Sequence, residues 1–396
     1  MKRSPLTLLA ASALLVGSAV ASSPAAAGGH GHSPHSSPPN GSIDSARTIA
    51  DGLLTPLSLA VDHWGRALVS QNFLGELLRI TPDGTRSTIA TAPGEELGAV
   101  STYGRTTYWA TTGQDPAAPS AKLFAQRGTG QPRQIADLRA FEEANNPDAG
   151  TSYGFQDLPA ECAAQFPADF PATSTGVIDS HPYASYATGT KVYVADAGAN
   201  AILSVKTGKR SATPQVVAVL PPVSSVVTAE VATAQGIPAC AVGYSYNFDF
   251  VPTDVEKGRD GWLYVTSLPG GPEDASLGAR GAVYKVNPYS GAVRRVAGGF
   301  VGAVNLALGP DGTIAVAELF GGDEGQGQVT LVKQGSSRRT VLPFTSPGAV
   351  EWTGSSRHSK LYVTTDAFVP NEQGPQAIGT LQVLKLGKDR RGWHHH

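Results

Sequence analysis

Laid against itself, the chain repeats one unit six times: an apolar strand, a turn often carrying Asp-Gly, a second strand, a loop, a third strand, a short turn and a fourth strand. The second strands read RALVSQ, TTYWAT, KVYVAD, WLYVTS, TIAVAE and KLYVTT. The fourth read TRSTIATA, PRQIADL, PQVVAVL, AVRRVAGG, RRTVLPF and, out of order, ARTIADGL at residues 46–53. That last strand precedes the first unit and has no sheet of its own, so it is expected to complete the sixth and tie the two ends of the chain into a ring. Six four-stranded units closed in this way describe an all-β fold, a six-bladed β-propeller over residues 44–387, whose radial packing protects the sheet edges. A β-solenoid would need shorter repeats in a continuous stack.

Composition agrees with a turn-rich strand protein: 396 residues hold 46 Gly, 29 Pro and one Met, and only 16% are charged. A net charge of −2, with scattered Lys and Arg, supplies no basic field and argues against nucleic acid as a partner. Residues 1–27 have a basic start, an apolar stretch and small-residue cleavage sites, the pattern of a secretory signal peptide, so the mature protein is expected outside the cell membrane. No later segment reaches the roughly 20 apolar residues a membrane span requires. Residues 28–43, with His30, His32 and His35, read as a disordered linker, and 388–396 as a disordered tail. A monomer is expected.

Two stretches break the rhythm, residues 140–179 and 222–244. The first opens with LRAFEEANNPD, a short helix stopped by Asn-Pro; the second carries SVVTAEVATAQG, a helix capped by Ser224 or Ser225 and ended at Gly236. Each stretch holds one of the two cysteines, and a secreted chain usually pairs such cysteines, which predicts a Cys162–Cys240 disulfide joining the insertions. Both insertions connect one blade to the next. The long second-to-third-strand loops SLPGGPEDASLGARG, LFGGDEGQG and DAFVPNEQGPQAIG emerge on the same face, while the other face keeps short turns such as PDG and NPYSG. A small-molecule or peptide ligand is therefore expected at this capped mouth of the central channel.

LGAVSTYG, VGAVNLALG and PGAVEWTG superimpose without gaps, which puts Ser101, Asn305 and Glu351 at one position of the innermost strands. Counting back from the turns adds Ser58 and Asp254 to this ring, and the third blade contributes Tyr183. The ends of the second strands form another ring: Gln71, Thr111, Asp196, Ser267, Glu318 and Thr365. Converging carboxylates and amides suit a hard cation such as calcium, with Asp254, Asn305 and Glu351 as its ligands. His181, Asp254 and Glu318 are candidate catalytic bases, and Ser58, Ser101, Tyr183, Asp196, Asn305 and Glu351 candidate ligand contacts. A structural reading stands beside each. Asp and Asn at strand ends often cap the next turn, as Asp196 would in VADAGAN, and His181 beside Pro182 reads equally as a packed ring. Asp62 and His63 sit in a distal turn and are expected to face solvent. No G-x-S-x-G motif is present, which argues against a serine hydrolase.

At DLPAEC, DSHPY, VVTAEVATAQGIPAC, VPTDVEKG and LPGGPEDASLGARG the sequence resembles the ScyD/ScyE family, secreted propeller proteins named after a gene cluster for the indolic sunscreen pigment scytonemin. The resemblance covers nearly the whole of residues 44–387 and implies a six-bladed fold of NHL-like repeats with no settled reaction. More remotely, the architecture is similar to that of six-bladed calcium-dependent lactonases and phosphotriesterases, whose metal, held by Glu, Asn and Asp, polarises an oxygen or activates water. Two functions follow: a propeller that captures a small molecule or peptide under its cap, or a calcium-dependent lactonase- or esterase-like hydrolase.

Overall fold

The computed structural model describes residues 43–386, apart from 114, 209–210, 356–357 and 372–373. The expected signal peptide, the histidine-bearing linker before residue 43 and the tail from 388 lie outside the described residues. Among the described residues the chain is all-β, with seven four-stranded sheets.

Six of these sheets follow the sequence repeat, and their first strands are Leu59–Val61, Glu95–Tyr103, Pro182–Ala187, Pro252–Lys257, Ala303–Leu308 and Ala349–Thr353. These strands adjoin one another in chain order, and the last adjoins the first. The second strands are covered on both faces by neighbouring sheets. Leu263–Ser267 is buried along its whole length, and Lys191–Asp196 is buried after its first residue. That explains their continuous β-branched and aromatic runs, where a half-buried strand would alternate with polar residues.

The out-of-order strand behaves as expected. Ile43–Leu53 pairs antiparallel with Gly379–Leu386, Arg47 standing opposite Val383, and forms the outer edge of the sixth sheet. Next to this closure the Thr364 hydroxyl donates to the Pro56 carbonyl at 2.7 Å, bonding the sixth sheet to the start of the first.

The insertions differ from their helical expectation. Three short helices are present: α1 (Leu138–Asn145), α2 (Ala160–Ala163) and α3 (Ala229–Gln235). Part of the remainder pairs into a seventh sheet of strands Thr173–Thr175, Ser152–Phe155, Ser245–Phe248 and Val223–Val226, so the second insertion reaches past residue 244. Val223–Val226 pairs with Ser245–Phe248, which makes Ser224 and Ser225 strand residues; Thr228 caps α3 instead, accepting from the Val231 N–H at 3.3 Å. Gly236 ends that helix at φ 67°, a left-handed conformation that glycine adopts without a Cβ penalty. The two insertions are joined by the Cys162–Cys240 disulfide, Cα to Cα 5.9 Å, over a small core of Phe155, Ala172, Val227, Ala232 and Ala241.

The long loop after Ser267 is a strut between the fourth sheet and this cap. Arg280 donates to the carbonyls of Gly270 (3.0 Å) and Pro272 (2.6 Å) and lies 4.6 Å over the ring of Phe248, while the Gly270 N–H reaches the Asp249 carbonyl at 3.0 Å.

Candidate functional site

The innermost strands enclose a cavity of about 200 Å³, lined by residues 58–61, 100–102 and 184–187 together with Asp254, Glu256, Asn305, Val350 and Glu351. Ser58, Ser101, Asp254, Asn305 and Glu351 all face it as expected, but not as one ring. Asn305 pairs with Ala317 across a bulge that follows Ala303, and Asp254 pairs with Thr266 across a bulge that follows Pro252. Glu351 and Ser101 instead pair two residues further along, with Tyr362 and Tyr108. A bulge inserts one residue into a strand without changing its partner, so a gapless alignment of first strands misplaces everything beyond it. The equal of Asn305 in the sixth sheet is Ala349, opposite Thr364, and the equal of Glu351 in the fourth is Glu256, opposite Tyr264.

Two levels result. At the first, Ser58, Asp254 and Asn305 clasp each sheet to the next. Ser58 Oγ accepts from the Val100 N–H (2.9 Å), Asp254 Oδ2 from Leu306 (2.8 Å) and Asn305 Oδ1 from Val350 (2.8 Å). Asp254 Oδ1 also accepts from Val255 at 2.8 Å. At the second level stand Ser101, Tyr186, Glu256 and Glu351. Ser101 bonds to Ser185 at 2.7 Å, whereas Glu256 and Glu351 face the cavity. Sequence reasoning passed over Glu256, Tyr186 and Ser185. Glu256 was within reach of it, because residues two apart on a strand share a face and Asp254 was already placed.

Among the described residues, no Lys, Arg or His lines this cavity. Burial, and the repulsion of Glu351 and Asp254, push the Glu256 carboxyl well above its ordinary range. Burial and Asp254 raise Glu351 to about 8; burial raises Asp254 to about 7 against the pull of its two backbone donors. Tyr186 is pushed up to about 12 by burial and by Glu256 and Glu351.

Four of the expected site residues lie elsewhere. His181 Nε2 sits 3.0 Å from Glu96 Oε2, and Glu96 Oε1 accepts from Asn72 Nδ2 at 2.9 Å. Burial opposes charge on His181, but the Glu96 carboxylate outweighs it and holds the imidazole at about 9. A protonated, ion-paired ring has no lone pair with which to take a proton. Tyr183 stands edge-on to it, ring centroids 6.0 Å apart, with its hydroxyl buried and unpartnered; it occupies the bulge between Pro182 and Ala184 and so misses the ring assigned to it. Asp196 Oδ1 accepts from His181 N–H (2.7 Å) and Ala199 N–H (3.3 Å), the turn-capping role. Glu318 is held by the Val301 N–H and Gln328 Nε2, both at 2.8 Å, and by the Thr330 hydroxyl. Asp62, expected in solvent, is 7% exposed and locked to Arg66.

The calcium set fits poorly as a chelate. Both Asp254 oxygens and Asn305 Oδ1 already accept backbone N–H groups, and Glu351 stands at the other level. Among the described residues no group of three or more His, Cys, Asp or Glu side chains is placed to hold a metal ion.

No family model and no curated protein matches the sequence. Among solved structures the chain is similar to the PQQ-bound aldose sugar dehydrogenase of Streptomyces coelicolor (13% identity, TM-score 0.48, covering 88% of this chain and 100% of that one). It is also similar to a streptogramin B lyase (10%, 0.46, 87% and 98%) and to the PQQ domain of pyranose dehydrogenase from Coprinopsis cinerea (9%, 0.46, 89% and 99%). At such identities the chemistry of those proteins does not transfer to this chain.

Proposed function

We propose that the chain is a secreted six-bladed β-propeller of the ScyD/ScyE kind that binds a small, positively charged molecule in its central channel. The observation that carries this reading is the cavity of about 200 Å³ into which Asp254, Glu256 and Glu351 face with no basic side chain to balance them. Three carboxyl groups facing one cavity, one of them buried and two half-buried, make a site whose strongest interaction is with a cation supplied from outside. The volume suits a compact head group such as an amine or guanidine, and the hydroxyl oxygens of Ser101 and Ser185 would accept from its N–H groups. The six-bladed architecture is supported by the cyclic adjacency of the six first strands, and export by the Cys162–Cys240 disulfide.

The ligand seat differs from the expected capped mouth. The cavity extends along the first strands toward Val61, Thr102 and Ala187, whereas His181 and Tyr183, at the cap end, do not line it.

The test is calorimetric titration of a panel of small amines, guanidines and calcium into the wild type, Glu256→Gln and Glu351→Gln at pH 7. Because bound cations favour ionised carboxyls, binding in wild type should release protons, read as a dependence of the heat on buffer ionisation enthalpy. Each variant should weaken binding about tenfold or more, the scale of one charge-assisted contact. A panel in which nothing binds, or binding indifferent to both variants, would remove this reading. A hydrolase reading keeps one observation in its favour: Asp254 and Glu351 titrate near neutrality, where acid–base groups work best. Turnover of a lactone or ester that Glu351→Gln abolishes would decide for it.

A further inference from the structure

A second cavity, of about 300 Å³, lies between the first and second sheets at their first-to-second-strand turns, walled by Asp62, Arg66, Arg79, Thr102, Arg105 and Thr129 among others. Its charge is opposite to that of the channel: three guanidinium groups meet one carboxylate. That carboxylate is fully engaged. Asp62 Oδ2 receives Arg66 Nε and Nη2, both at 2.7 Å, while Oδ1 accepts from the N–H groups of Trp64 (2.9 Å) and Arg66 (3.0 Å). The pair is fixed further by Trp64, whose ring lies 4.3 Å from the Arg66 guanidinium.

Arg79 and Arg105 are left without such a partner. Arg79 Nε is buried in the wall and makes no hydrogen bond. The Arg105 guanidinium makes no hydrogen bond or ion pair with a described residue; only its backbone carbonyl is used, by the Gly128 N–H at 2.7 Å. Gly128, at φ 60°, is a wall position where even a Cβ would come to 3.5 Å from Arg105 Nη2. A buried guanidinium nitrogen with no acceptor costs free energy that an anionic oxygen would recover, and two guanidinium forks converging on one space match the oxygens of a carboxylate, sulfate or phosphate. Burial and Arg66 both press the Arg79 pKa down, and an anion beside it would oppose them. Thr102, Thr107 and Thr129 add hydroxyl partners, and the volume exceeds what a bare anion fills.

We propose that this cavity binds a small acidic sugar or a molecule of like chemistry, its anionic group between Arg79 and Arg105 and its hydroxyls on the threonine-lined wall. The site is opposite in charge to the channel cavity, with which it shares only Thr102, and does not depend on the function assigned to that cavity. Its test is titration of glucuronate, glucose and inorganic sulfate into wild type, Arg105→Gln and Arg79→Gln at constant ionic strength. Glucuronate should bind wild type, and bind about tenfold more weakly to each variant, while glucose gives no heat. Arg105 is exposed, so its variant keeps the fold. No binding of glucuronate, glucuronate binding as tight in either variant as in wild type, or sulfate binding without glucuronate binding would each overturn the proposal.

Discussion

Glu351 and Glu256 share a register and a cavity that no basic side chain of the described residues lines. Their consequence for stability has a definite sign. A carboxyl whose folded pKa is raised above its unfolded value stabilises the fold below the unfolded value, near 4, and that contribution is lost as pH rises through the folded value. With Asp254 at about 7 and Glu351 at about 8, the unliganded protein should lose stability steadily from pH 5 to pH 8.5. Glu351→Gln should flatten that slope and leave the variant more stable than wild type at pH 8.5 by about 2 kcal/mol, read from melting temperatures at the two pH values. A variant with the wild-type slope would show that the carboxyls are not coupled as described. At this scale much was legible: five of the channel residues follow from the repeat. The engagement of His181 by Glu96 was not, because the two lie 85 positions apart on different sheets and no local pattern links them.

Among the elements, the disulfide-bonded cap has its own core and only short strands. Cys162 and Cys240 close a loop of 78 positions, and on a chain-entropy account such a link is worth up to about 4 kcal/mol. The cap holds few of the molecule's apolar contacts, so the effect should stay local. Replacing both cysteines by serine should raise amide exchange in Ser152–Phe155 and Ser245–Phe248 by two orders of magnitude or so while leaving Leu263–Ser267 unchanged. Equal acceleration everywhere would make the cap a global support. The pairing of the cysteines was readable from their count and compartment; the sheet they pin was not. SYGF, TST, VSSV and SYNF are strands of three or four residues, too short for a period to declare itself, and the central pairing, SYGF with SYNF, joins two separate insertions.

The whole molecule depends on a strand contributed by the far end of the chain. Without Ile43–Leu53, the edge of Gly379–Leu386 would stand open as a template for other chains. Deletion of residues 43–53 should lower the melting temperature by roughly 10 °C and yield dimers or larger species on a sizing column, and a peptide of the deleted sequence should reverse both. A monomeric deletion of wild-type stability would mean that the ring is held by its inner strands alone. The arrangement also sets an order in time. Residues 43–53 are made well before residues 379–386, so at roughly 5–20 residues per second the first strand waits on the order of tens of seconds for the strand it pairs with. During that interval the nascent chain carries an unpaired edge. A carrier that kept the chain extended until residues 379–386 are made, as export in an unfolded state would, would hide that edge from other chains.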